Sequence, residues 1–140
     1  MLENLAHKTF IPLLLRFALA VVFIYHGLNL VQSGGGFTWA NAMPDSPPQI
    51  LQAAVAWGEL VGGIALALGL LTRIAALGII AIMAGAIAKV HLPQGFDITK
   101  SGYEYNMVLI VVALCLVIGG AGSFSMDRIV RLKMRGPAKY

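Results

Sequence analysis

Residues 48–91 read PQILQAAVAWGELVGGIALALGLLTRIAALGIIAIMAGAIAKVH, and the way this run folds decides the architecture. Its 44 residues carry only Glu59 and Arg73 as charges before Lys89. As one straight helix rising about 1.5 Å per residue, it would exceed twice the thickness of a bilayer core of about 30 Å. It must fold back. Gly69 and the Leu71-Thr72-Arg73 turn place the reversal near the middle, with Thr72 as cap of the helix that follows. Two spans result, over 48–71 and 72–91.

Two more apolar runs flank this pair, TFIPLLLRFALAVVFIYHGLNLV over 9–31 and a second over 103–121. The expected fold is all-α, an integral membrane four-helix bundle in one domain over 1–140, with a short amphipathic C-terminal segment. Composition agrees: 59% of residues are hydrophobic and 11% charged, against about 25% charged in a soluble domain. Mean hydropathy is +0.82. The loop QSGGGFTWANAMPDSPPQ joins the first two spans, with Pro47 and Pro48 suited to a helix start and Trp39 to the headgroup level. Ala40-Asn41-Ala42 resembles a signal-peptidase site, but the apolar run before it is too long for a signal peptide, so the first segment is read as a span.

The net charge of +4 is concentrated in the tail over 123–140. There Arg128, Arg131, Lys133, Arg135 and Lys139 face Asp127 alone. The rest of the chain balances five basic against five acidic residues, so no patch of a size useful for nucleic acid exists. Four spans put both termini on one side, together with Lys8, Arg16, Arg73 and the tail. Lys89 and Lys100 lie opposite. The positive-inside rule then sets both termini in the cytoplasm of a bacterial-type inner membrane. Ser125 caps a tail helix with Asp127 in its first turn, and Arg128, Arg131, Lys133 and Arg135 meet lipid headgroups. Arg16 is expected to snorkel. Cys115, the lone thiol, can form neither an internal disulfide nor a C-x-x-C pair.

Polar residues inside the apolar chain gather toward the other side. His26 lies near the end of the first span and Glu59 midway along the second. The stretch KVHLPQGFDITKSGYEYN over 89–106 adds Lys89, His91, Tyr103, Glu104 and Asn106. A charge at mid-membrane costs about 2.5–3.5 kcal/mol, so Glu59 is expected to face the interior, protonated or paired with Lys89, His26 or His91. These residues are read as one polar pocket with Glu59 as its floor. Gly58, Gly62 and Gly63 in the second span, and Gly78 and Gly85 in the third, are assigned to close helix packing. No pair of ligands has the spacing of a metal motif, and neither metal nor haem is expected. A quinone fits the chemistry better: its ring needs an apolar cleft, its carbonyls need donors, and its reduction needs a proton carrier such as Glu59.

RFALAVVFIYHGLNL (16–30), WGELVGGIALALGLLTRIAAL (57–77) and KVHLPQGFDITKSGYEYNMVLIVVALCLVIGG (89–120) together resemble the DoxX family of small four-helix membrane proteins. His26, Glu59, His91, Pro93, Gly95, Tyr103, Glu104 and Asn106 match its motif positions, while Asn29-Leu30 stands where members often carry a lysine. The resemblance implies an inner-membrane companion of redox enzymes, related to the DoxD-type subunits of quinone-linked sulfur oxidation, and not catalytic alone. The leading expectation is a redox-associated subunit binding a quinone or similar amphiphile. A structural or assembly subunit and a small-solute or proton-coupled carrier are the alternatives. Partners are the bilayer and either other membrane or redox subunits or further copies of this chain.

Overall fold

The computed structural model describes residues 6–43 and 45–134, and among them every regular element is helical. Three helices are long and apolar enough to cross a membrane: α1 (Lys8–Gln32), α2 (Gln49–Leu68) and α3 (Thr72–Gln94). A shorter apolar helix, α4 (Glu104–Gly119), follows, and then an amphipathic α5 (Met126–Met134). The expected count of four spans is therefore met by length in three. With 16 residues, α4 reaches about 24 Å, short of a core of about 30 Å. It stops because Gly120 turns to φ 78.

α1 packs along α2, α3 along α4, and the pairs meet through α2–α3 and α1–α4 contacts. Between them lies a core that includes Leu19, Phe23, Leu66, Ile79, Met83, Leu109 and Leu116. The outward faces are as apolar as the core. Leu14, Phe17, Ile74, Leu77, Val111 and Ile118 are each more than half exposed. Water does not tolerate continuous apolar faces of this extent, whereas lipid does. The chain is a multi-pass membrane protein.

The reversal falls where the glycine predicts. Gly69 is left-handed at φ 66; its N–H donates to Leu66 O (3.1 Å), and the Leu70 N–H donates to Ala65 O (2.9 Å). This pair of bonds satisfies carbonyls that the last turn of α2 would leave open. The start of α3 departs from expectation. Thr72 is the first residue of the helix and its hydroxyl has no hydrogen-bond partner. The capping oxygens come from 55 residues away: Asp127 Oδ1 accepts from the Leu71 N–H (2.6 Å) and Oδ2 from the Thr72 N–H (3.0 Å). Leu71 sits in the left-handed region at φ 47, a conformation a leucine adopts at a cost, and the Asp127 carboxylate holds it there. Asp127 reaches this position from the first turn of α5, whose start is capped as expected, with the Arg128 N–H donating to Ser125 Oγ (3.3 Å).

Arg16 does not snorkel. It is 2% exposed. Its Nε donates to Leu66 O (2.9 Å), Nη2 to Ala67 O (3.1 Å), and Nη1 to Ala121 O (2.7 Å) and Phe124 O (2.6 Å). One guanidinium thus closes the C-terminal turn of α2 and the segment after α4, where helix carbonyls concentrate negative potential. Arg73 does the same for α4, donating to Ile118 O (3.2 Å). A side chain at Gly69 would strike the Arg16 guanidinium, so this glycine is required by space as well as by φ.

Glycines expected to mediate packing divide sharply. A Cβ at Gly63 would lie 2.8 Å from Ile24 N, and one at Gly58 would lie 3.2 Å from Ile82 Cδ1. Gly62, Gly78 and Gly85 face open space within 4 Å, so close packing in this chain does not explain them. The tightest crossing is at Gly27, where a Cβ would overlap the Leu60 backbone. Gly27→Val is expected to lower stability by about 1–3 kcal/mol by forcing α1 off α2. Gly62→Ala is expected to be neutral or to add up to about 1 kcal/mol through helix propensity. Thermal unfolding of both variants in one detergent checks the pair.

Candidate functional site

α2 buries one stripe, Gln52, Ala53, Ala56, Glu59, Gly63 and Leu66, spaced by threes and fours as one helix face requires. Glu59 therefore faces inward. It is 6% exposed, and its Oε2 is buried without a hydrogen-bond partner. Among the described residues no ion pair reaches it. Its level in the bundle follows from its neighbours. Gly58 faces Ile82, and Gly27 lies against Leu60. One residue beyond Ile82, Met83 Sδ accepts from Asn106 Nδ2 (3.4 Å). Glu59 and Asn106, the second buried residue of the expected pocket, thus lie within about a turn of the same depth.

The remaining expected pocket residues stand elsewhere. His26 is exposed on α1, its ring edge-on to Tyr25 with centroids 5.6 Å apart. Lys89 is exposed too, on a π-helical turn, Ile87–His91, that widens the end of α3. His91, Tyr103 and Glu104 are half-buried and serve the loop between α3 and α4. His91 Nδ1 hydrogen-bonds Ser101 O (2.7 Å). Glu104 Oε2 accepts from the Ile98 N–H (3.2 Å), and Tyr103 packs edge-on against Phe96, centroids 5.5 Å apart. Gly102 lies under the loop so closely that any Cβ would meet Gly95 O and Asp97 O. The polar density of 89–106 is thus largely a loop tying its own backbone. Neither His26, Lys89 nor His91 pairs with Glu59.

The same loop contains a titrating latch. Asp97 Oδ1 accepts from the Thr99 N–H (2.9 Å) and Thr99 Oγ1 (2.8 Å), and these bonds hold its carboxyl below the usual carboxylate range. A depressed folded-state value means the stabilisation is complete above the unfolded-state value and is lost as pH falls through the folded one. The protection of the amides over 95–103, taken relative to their intrinsic exchange rate at each pH, is therefore expected to fall only on strong acidification, and Asp97→Asn is expected to flatten that dependence.

Two structural anchors carry no obvious signal in the sequence. Arg16 is one. Gln52 is the other: it is fully buried, and its side chain accepts from the Ala40 N–H (2.9 Å) and donates to Asn41 Oδ1 and Pro47 O (both 2.9 Å). Together with Trp39 Nε1 donating to Gln52 O (2.9 Å), it folds the first loop onto α2. Trp39 is therefore a loop anchor and not simply a headgroup residue. Gln52 lies on the Glu59 stripe two turns earlier, and that periodicity was the available clue.

A groove of about 500 Å³ opens at the opposite end of the bundle, where α1 begins and α4 ends. It contains none of the expected pocket residues. Of the residues assigned to headgroups, Arg128 and Arg131 line it, Lys133 does not, and Arg135 lies outside the described residues.

The DoxX family model matches residues 11–92, which hold all of α2 and nearly all of α1 and α3. The chain belongs to the DoxX family. Among individual proteins, this DoxX-family chain is 29% identical over 127 residues to a protein of Haemophilus influenzae named as uncharacterised, covering 85% of this chain and 82% of the relative. It is 28% identical over 121 residues to the Bacillus subtilis protein named "Putative oxidoreductase CatD", covering 84% and 85% respectively. No solved structure gives a significant match.

Proposed function

We propose that this DoxX-family protein is a membrane subunit of a redox system and that Glu59 exchanges protons with a quinone-type amphiphile held between its helices. One observation carries the reading: a carboxylate in a membrane span, buried, with Oε2 unpartnered. Buried polar groups are paired in almost all folded proteins, and an intramembrane carboxylate is by default a functional group. The oxidoreductase name of the Bacillus subtilis relative and the apolar surroundings of Glu59 support it. Reduction of a quinone to its quinol consumes two electrons and two protons. Glu59 hands over one proton and is reprotonated from water, and the second proton comes from water at the membrane surface. Asn106 lies at the depth to donate a hydrogen bond to a quinone carbonyl, and the two electrons come from a partner redox enzyme.

The topology follows from charge. The end bearing Lys8, Arg73 and α5 faces the cytoplasm of an inner membrane, and α4 completes a fourth crossing with the residues on either side of it. Intrinsic fluorescence tests the function, since Trp57 lies two residues from Glu59. Titration of the protein in nanodiscs with a short-chain ubiquinone should quench saturably, and Glu59→Gln should weaken that binding. Equal, non-saturating quenching in both would refute the reading.

A docking role at the far end has its own support. The loop over 92–102 exposes Leu92, Phe96 and Ile98, each by more than half, on a backbone held by internal bonds. That is the form of a preorganised surface for the partner enzyme. Disruption of this loop is expected to release a co-purifying complex while quinone binding persists.

A further inference from the structure

The groove at the terminal end gathers cations from three separate parts of the chain. Lys8 comes from the start of α1, Arg73 from the first turn of α3, and Arg128 and Arg131 from α5. One acid, Asp127, also lines it, but both its oxygens are engaged by the backbone N–H groups that open α3. The volume of about 500 Å³ exceeds what an inorganic ion fills and suits a small phosphorylated headgroup. Its position adds a second constraint. The spans end here, and the rim carries Pro12 and Leu132, while Leu132, Ile129 and Phe124 are each more than half exposed. A ligand in this groove therefore meets basic side chains beside the apolar Pro12 and Leu132, with the exposed apolar Phe124 and Ile129 close by in the chain.

We infer that this groove binds the phosphate of an anionic phospholipid, clamped by Arg73, Arg128 and Arg131, with acyl chains running along the outer faces of α4 and α5. Guanidinium groups suit this role because each presents a planar fork of donors to phosphate oxygens. A bound lipid also bridges α1, α3 and α5, so it fastens the tail helix to the bundle. Free phosphate shares the chemistry of the clamp, but the apolar exit distinguishes the lipid.

Arg131 and Lys133 give a matched test, since each loses one positive charge on the same helix and only Arg131 lines the groove. Native mass spectrometry of the full chain, released from micelles doped equally with phosphatidylglycerol and phosphatidylcholine, reads the retained lipid. The wild type should retain phosphatidylglycerol preferentially. Arg131→Gln should lower that retention about fivefold, while Lys133→Gln should leave it near the wild-type level. Circular dichroism establishes that both variants are folded, and Arg128→Gln provides a second groove variant. Equal retention of the two lipids, or equal losses in Arg131→Gln and Lys133→Gln, would overturn the site. Displacement of the lipid by millimolar inorganic phosphate would assign the clamp to free phosphate and overturn the lipid.

Discussion

Arg16→Met is expected to destabilise the protein by at least about 3 kcal/mol. The methionine fills much of the same space and removes every donor. Three carbonyls, of Ala67, Ala121 and Phe124, lose their partner, while Leu66 O keeps only the Gly69 N–H, and a buried acceptor left unpaired costs about 1–3 kcal/mol each. Some of this is recovered as the segment relaxes toward headgroups and water. Arg16→Lys should restore only part of the loss, because an ammonium is a compact point charge and cannot span the ends of two helices as a guanidinium does. Thermal unfolding in nanodiscs checks both. A melting curve for Arg16→Met that overlays the wild type would show that the guanidinium does not fasten α2 to the segment after α4. The damage should concentrate at the terminal end, with α5 exchanging its amide hydrogens faster than α2.

Glu59 should behave in the opposite way. Glu59→Leu is expected to raise stability by about 1–3 kcal/mol, since it removes a buried polar group that lacks a partner. Both Glu59→Leu and Glu59→Gln should cut quinone-coupled proton uptake about a hundredfold or more, the usual contribution of a positioned acid or base. Gain of stability with loss of function is the signature of a group retained for chemistry. A Glu59→Leu variant that unfolds more readily than the wild type would instead make Glu59 a structural anchor. The Arg16 and Glu59 experiments together separate these two buried ionisable residues into one that fastens and one that acts.

Much of the architecture was legible in the sequence because hydropathy and turn chemistry are local. The reversal in 48–91 could be placed from Gly69 and the Leu71-Thr72-Arg73 turn, and Ser125 announced the start of α5. What failed was long-range. Thr72 looked like a cap because capping is usually supplied next door, yet Asp127 does it from the far end of the chain. Arg16 was expected to reach for headgroups, since nothing in its own helix shows that carbonyls of α2 and of the segment after α4 converge beside it. His26 and Lys89 were grouped with Glu59 by depth. Depth along a helix is readable from residue number, but the direction a side chain takes depends on where its neighbours pack. Glu59 faces inward as the cost of a charge at mid-membrane requires, and the structure puts Asn106 on the buried stripe of its own helix.

The proposed function requires Glu59 to take part in chemistry from inside the bundle. Infrared difference spectra of quinone-loaded protein, recorded on electrochemical reduction of the bound quinone, observe this carboxyl directly. The prediction is a change in the carboxyl C=O band in the wild type that is absent in Glu59→Gln. Identical spectra for the two proteins would contradict it.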